Sequence, residues 1–297
     1  MRLTLRDQVL AGGLLGLCLV VGAVSFHSPA SFTKPVAAQA DAEAEMEIVA
    51  HRGASYDAPE NTLAAFNLAW DQGADAIELD IQMSKDGRIV VIHDLDTKRL
   101  AGVDRKVSEQ TSVELRMLNV GSRTIPTAPR HQIPFLHEVL AIVPNGKRVL
   151  IEVKCGKEAL PELIRELKAG GKAPEQTAII GFSSDVVEAA KKALPDLDVY
   201  WIVNIKPDPK SRSSKQLPTV EELITTANRI KVDGLDLSAC ETIDKRFVAK
   251  VHAARLGLAV WTVNDPELAA AMRDAGVDSL TTDRPGFIRE QLSPEPK

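Results

Sequence analysis

The chain has 297 residues, 44% hydrophobic and 26% charged, an ordinary globular composition that allows one large domain or two small ones. Its formal charge is −5, with Lys and Arg spread along the sequence and no basic block, which argues against nucleic acid as a partner. Aromatic residues make up only 4%, too few for an aromatic-rich ligand surface.

Residues 1–40 differ from the rest. Arg2 and Arg6 precede an apolar stretch from Val9 to Phe26 that is interrupted only by small residues. At about 18 residues it lies at the lower limit for spanning a bilayer of ~30 Å. A positive start, an apolar middle and small residues after it make a secretory signal, with candidate cleavage points after Ala30 and Ala40. Ala40 is far from the apolar centre, so an uncleaved membrane anchor is the alternative. Cys18, at the end of "LGLC", makes a poor lipoprotein box because Leu17 is large. A buried N-terminal helix fits less well, because "HSPASFTKPVAAQADAEAE" follows and reads as a linker. The expectation is an exported protein, periplasmic, secreted or anchored facing outward. Residues 1–40 are then signal or anchor plus linker, and 46–297 one folded domain. Loss of residues 1–40 removes Arg2, Arg6 and Lys34 against Asp7, which moves the charge from −5 to −7. Cys155 and Cys240 then remain, too few for a disulfide framework.

From residue 46 onward, short β-rich runs alternate with helical patterns. The predicted strands, in chain order, are 47–51 "EIVAH", 76–81 "AIELDI", 148–153 "RVLIEV", 177–182 "TAIIGF", 199–203 "VYWIV", 234–238 "GLDLS", 258–263 "LAVWTV" and 279–283 "SLTTD". Most are apolar and bounded by turn signals, as strands buried on both faces should be. The predicted helices lie between them. One runs from a capping Asn61 to Gly73, and another from Asp265–Pro266 to Gly276. Others fall near 134–143, 159–169, 184–194, 220–230 and 244–256, with a short one after Pro285. Eight strands alternating with helices over roughly 250 residues predict a (β/α)8 TIM barrel. A doubly wound sheet would carry a glycine-rich loop after its first strand, and none is present. The segment 81–94, "IQMSKDGRIVVIHD", breaks the alternation. Its two β-like runs are joined too tightly for a parallel crossover, which predicts a hairpin rising from the second strand. Residues 95–133 are then a small insertion over the barrel top, with a short helix at "SVELRML".

Alternate residues of a strand share a face, and the C-terminal ends of barrel strands meet at one rim. Glu78 and Asp80 near the end of the second strand, and Glu152 and Lys154 at the end of the third, belong to that rim with His51, Arg52 and His93. Three carboxylates gathered there repel one another, and a divalent cation removes the conflict. An all-oxygen set favours Ca2+, Mg2+ or Mn2+ over Zn2+. The plainer reading is three separate salt bridges. Two histidines suit general base and general acid, and Arg52 and Lys154 suit a phosphoryl oxygen. His27, His131, His137 and His252 are read as ordinary surface or core residues, and Cys155 as packing on the face opposite Lys154.

The run from "AHRGASYDAPENTLAAF" through "AIELDIQMSKDGRIVVIHD", then "IEVK", "VWTVND" and "DSLTTDRPG", resembles the glycerophosphodiester phosphodiesterase family over residues 48–286. The resemblance implies a modified TIM barrel that hydrolyses glycerophosphodiesters to glycerol 3-phosphate and an alcohol with a divalent metal. It implies acid–base roles for His51 and His93, metal ligation by Glu78, Asp80 and Glu152, and phosphate contacts from Arg52 and Lys154. Glu60 of "PENT" binds near the metal or braces the rim by the same resemblance. Trp261 lines the substrate pocket, with barrel packing as its alternative. The helix start "IPFLHEV" departs from the family's usual "IPTLEEV" at Phe135 and His137, away from the proposed metal. The insertion matches weakly, which leaves the alcohol headgroup open. Rival readings are a lysophospholipase D or phosphoinositide-type phospholipase on the same barrel, and a non-catalytic binding module.

Overall fold

The structure, a computed structural model, describes residues 45–121, 129–207 and 217–293. The proposed signal or anchor, with His27 and Cys18, lies outside the described residues. Eight parallel strands close into a barrel: β1 (Glu47–Ala50), β2 (Ala76–Met83), β6 (Arg148–Val153), β7 (Thr177–Gly181), β8 (Asp198–Val203), β9 (Gly234–Ser238), β10 (Gly257–Trp261) and β11 (Ser279–Thr282). Each pairs with the next around the ring, and β1 closes it by pairing with both β11 and β2. The predicted strands therefore form in the predicted order. Parallel strands enclosed by helices are dry on both faces, which is why β7, β9 and β11 are buried throughout.

The outer helices are α1 (Leu63–Asp71), α4 (Leu136–Ile142), α5 (Leu160–Gly170), α6 (Ser184–Ala193), α7 (Val220–Ile230), α8 (Lys245–Ala253), α9 (Pro266–Ala275) and α10 (Pro285–Leu292). Side-chain caps define several starts: Ser183, Thr219, Asp244 and Asp265 each accept a backbone N–H of the first turn. The α1 cap is Thr62, which accepts from Ala65 N, and not Asn61 as the sequence suggested. Asn61 has φ 55° and turns its amide inward instead. Phe66 of α1 is fully buried between helix and barrel. Burying such a side chain stabilises by about 1.5–3 kcal/mol.

The predicted hairpin is present: β3 (Ile89–Val91) runs antiparallel to the end of β2, with Ile81 opposite Val91. The insertion holds a small antiparallel pair, β4 (Asp96–Thr97) and β5 (Val103–Lys106), with α2 (Lys98–Ala101) between them and α3 (Ser112–Arg116) after them. Val90, Ile92, Leu100, Leu115 and Ile133 give this subassembly its own apolar cluster. Asp86 at the hairpin tip ties it to α3, accepting from Ser112 N and Oγ, both at 2.7 Å.

The lower end of the barrel is closed. Gly234 and Gly257 sit side by side, and a Cβ on either would lie 2.3 Å or 2.6 Å from the Tyr200 side chain. Only glycine leaves room for that ring. At this end Arg148 joins Glu47 (2.9 Å) and Asp198 (3.4 Å). Among the described residues no helix is long and apolar enough to cross a membrane.

Candidate active site

The upper rim begins with the turn after β1. His51 N continues the ladder to Thr282 O (2.8 Å), and the chain then bends through Arg52 (φ 57°) and Gly53 (φ 80°). A Cβ on Gly53 would meet the Ala65 backbone at 2.5 Å, so the turn can press against α1 only with glycine there. A non-glycine residue at positive φ costs about 1–3 kcal/mol, and such strain collects at functional sites. Here Arg52 N donates to Glu78 Oε2 (2.9 Å), while Nη1 reaches Glu60 Oε1 (2.8 Å) and Nε stands 3.2 Å from Asp80 Oδ2.

Glu78, Asp80 and Glu152 converge as their strand positions predict. One oxygen from each lies within 4.8 Å of the others, and all three residues are buried. Asp80 pairs directly with Glu152 across β2 and β6. Asn61 donates from Nδ2 to Asp80 Oδ2 (2.8 Å), and Lys154 Nζ donates to Glu152 Oε1 (2.8 Å). Glu78 Oε1 and Asp80 Oδ1 are buried without a hydrogen-bond partner. Burial, and then the charges of Asp80 and Glu152, push Glu78 well above the usual carboxylate range. Burial and the charge of Asp80 raise Glu152 to about 7. Orphaned oxygens and mutual repulsion in one small volume fit a hard divalent cation, which takes oxygen ligands and cancels the repulsion.

Each rim histidine has a carboxylate on Nδ1. His51 Nδ1 meets Asp283 Oδ1 at 2.6 Å, and Asp283 also takes Ser55 Oγ (3.0 Å) and Asn264 Nδ2 (2.6 Å). Burial alone would raise Asp283, but these bonds and the His51 contact hold it at about 2. His93 Nδ1 meets Asp94 Oδ1 at 2.8 Å. Arg99 grips Asp94 through Nε (2.6 Å) and spans to both oxygens of Glu60 (2.7 and 2.8 Å). Burial lowers the His93 pKa despite the carboxylates nearby. A carboxylate on Nδ1 fixes ring orientation and presents Nε2 for proton transfer.

A cavity of about 190 Å³ opens among these groups. His51, Arg52, Glu78, His93, Glu152 and Lys154 form one wall, and Ile180, Phe182, Ile202, Asp236, Trp261 and Thr281 the other. Trp261 packs edge-on against Phe182 (5.6 Å) and donates from Nε1 to Asp236 O (3.2 Å), so it both faces the cavity and braces the barrel. Glu60 does not line the cavity; Arg52 and Arg99 occupy its carboxylate at the rim. Phe135 and His137 stack on each other (5.4 Å) outside it, and His252 pairs with Asp278. Cys155 is half-buried against the outer core, and both Cys155 and Cys240 are free thiols.

Residues 51–287 match the glycerophosphoryl diester phosphodiesterase family. The chain belongs to that family. It is 32% identical over 245 residues to YhdW of Bacillus subtilis, covering 82% of this chain and 96% of the relative. A glycerophosphodiester phosphodiesterase of Caldanaerobacter subterraneus is 29% identical over 253 residues, covering 80% and 94%. The crystal structure of an Oleispira antarctica phosphodiesterase in complex with the product sn-glycerol-3-phosphate superposes with a TM-score of 0.73 at 25% identity, covering 84% and 97%.

Three members of the site escaped the sequence reading. Asp283 closes the predicted strand 279–283 and Asp94 the hairpin segment 81–94, and the sequence reading gives neither a role, although Asp94 stands beside His93 in "HD". Asp236 was passed over inside "GLDLS", where an acid in the middle of an apolar strand was the available signal. Its side chain is buried in the cavity floor, and burial, aided by the charge of Glu152, raises it to about 8.

Proposed function

We propose that this family member hydrolyses glycerophosphodiesters to glycerol 3-phosphate and an alcohol with a divalent metal and two histidines. The observation that carries this reading is the pairing of a repelling carboxylate trio with two carboxylate-held histidines around one cavity. Glu78, Asp80 and Glu152 would hold Ca2+, Mg2+ or Mn2+, which supplies charge stabilisation at a phosphoryl oxygen. Arg52 and Lys154 add positive charge toward the same oxygens. One imidazole takes the proton of the nucleophile, and the other returns a proton to the leaving alkoxide. Asp283 and Asp94 keep each ring aligned.

The test is hydrolysis of glycerophosphocholine by the purified chain after chelation, with each of the three metals restored in turn. Metal-restored release of glycerol 3-phosphate supports the reading, and its absence with every metal defeats it. A lysophospholipase D activity on the same site is the second reading. Phe182, which lines the cavity, is 47% exposed, and Tyr56 and Leu95, on the loops after His51 and His93, are 62% and 69% exposed; such side chains suit a lipid-bearing substrate. Faster turnover of lysophosphatidylcholine than of glycerophosphocholine would establish it.

Export belongs to the same proposal. Its support is the sequence of residues 1–40, a positive start and an apolar run followed by small residues. N-terminal sequencing of the mature protein tests it: a start after Ala30 or Ala40 indicates cleavage, an intact terminus in the membrane fraction indicates an anchor, and an intact terminus in the cytosol overturns export.

A further inference from the structure

Asp236 is 2% exposed, and its Oδ1 has no hydrogen-bond partner. No Lys, Arg or His pairs with it among the described residues, and it does not belong to the carboxylate group that converges within 4.8 Å. Leaving a carboxyl buried and unpartnered destabilises the fold, because its lost hydration is not replaced. A group that adds nothing to the fold at that cost is best explained by what enters the cavity.

Its position narrows the ligand. Asp236 lies opposite Ile202 and Ala259 in the sheet, two residues before the end of β9, whereas Trp261 ends β10. It is therefore one layer below the rim. Around it are Ile180, Ile202 and Thr281, and Tyr200 blocks the way further down. The groups suited to a phosphate, Arg52 and Lys154, belong to the layer above, where Lys154 Nζ lies 2.8 Å from Glu152. A phosphodiester held there has one arm pointing down and one pointing out. The downward arm must be small, of fixed length and able to hydrogen-bond a carboxyl. Glycerol satisfies all three demands. The alcohol arm varies in size and has open space only toward the mouth.

We propose that Asp236 binds the terminal hydroxyl of the glycerol moiety, so that glycerol enters first and the alcohol headgroup stays at the mouth. The assignment rests on the glycerophosphodiesterase reading above and specifies which residue recognises the invariant half of the substrate. A site built to hydrogen-bond a hydroxyl rejects an analogue lacking it, because the site's own polar group is left unpaired.

The test compares glycerophosphocholine with 2-hydroxypropyl phosphocholine, which lacks only the terminal hydroxyl, using the metal-loaded full chain and its Asp236→Ala and Asp236→Asn variants. The unaltered protein should prefer the glycerol compound by roughly 10²-fold or more in kcat/KM. In Asp236→Ala the preference should collapse to within about threefold, mainly through a higher KM for the glycerol compound. Asp236→Asn, which still pairs with a hydroxyl, should keep more than about tenfold. Calorimetric binding of sn-glycerol 3-phosphate and of propane-1,2-diol 1-phosphate should show the same Asp236-dependent gap without turnover. Binding that discriminates while no diester is hydrolysed defeats the catalytic reading alone. A preference that survives in Asp236→Ala, or equal losses on both compounds, overturns the assignment. So does an Asp236-dependent preference between choline and an uncharged alcohol, since that would put the headgroup at the floor.

Discussion

The two ends of the barrel treat charge in opposite ways. At the lower end two charge clusters are closed within the chain: Arg148 spans Glu47 and Asp198, and Asp75 is met by Ile48 N, Lys147 and Arg289. At the upper end Glu78, Asp80 and Glu152 face one another with oxygens left over. Burial raises Glu47 at the lower end despite Arg148, and bonds hold Asp283 at about 2 at the upper end, so the contrast is clearest between Asp75 and Glu78. Burial would raise Asp75, but the bond from Ile48 and the charge of Arg289 bring it below its ordinary value of 3.8. At Glu78 the charge and the backbone N–H of Arg52 offset burial only in part, and the carboxyl stays well above the usual range. One end is arranged for stability, whereas the other gives up stability for a ligand, the usual division of labour in barrels of this class.

Substitutions can break that contrast. Glu78→Gln at the upper end should lower kcat/KM by about 10³-fold or more, since under the proposed function it would help hold the cation that stabilises the phosphoryl charge. The same change removes like-charge repulsion, so the chelated variant should melt no lower than the chelated parent protein. A large fall in melting temperature would mean that the trio stabilises the fold and that the contrast is wrong. His51→Ala should cost about 10²–10³-fold in kcat/KM with the near-ultraviolet circular dichroism unchanged. Arg148→Ala should do the reverse, destabilising by about 2–3 kcal/mol in urea unfolding because Glu47 is left without its partner. Its kcat/KM at low temperature should stay within about twofold of the parent, as lower-face residues do not touch the chemistry.

The smallest effect is in pH dependence. Glu152 binds its proton more tightly folded than unfolded, with a pKa raised from 4.5 to about 7. Its contribution to stability is thus complete below pH 4.5 and is lost as pH rises through 7. Asp75 has the opposite sign: its contribution is present above pH 3.8 and is lost as pH falls further. Chelated protein should therefore lose melting temperature between pH 4.5 and 7, and saturating divalent cation should abolish that loss. A flat profile in the chelated protein would show that the trio is not strained.

What the sequence revealed follows from what is local. Strand alternation put Glu78 and Asp80 on one face, and the barrel's closure brought Glu152 beside them. The hairpin returning His93 was legible because "KDG" is a turn and the spacing forbids a crossover. Pairings between distant loops left no such trace. Asp283 reaches His51 across 232 positions, and only the closure of β1 against β11 brings them together. Asn61 misled for a physical reason. Its type and place suit a helix cap, but Thr62 takes that role and frees Asn61 to hold Asp80.

The Tyr200 ring across Gly234 and Gly257 makes the cavity a dead end. Whatever goes in must come out through the same opening. With glycerol seated at the floor, the alcohol half is nearest the exit and departs first, and glycerol 3-phosphate must clear the mouth before the next diester can enter. The reaction then runs as a queue. Glycerol 3-phosphate competes directly with substrate, whereas the free alcohol does not, so a rising level of the phosphorylated product slows the enzyme without any regulatory site.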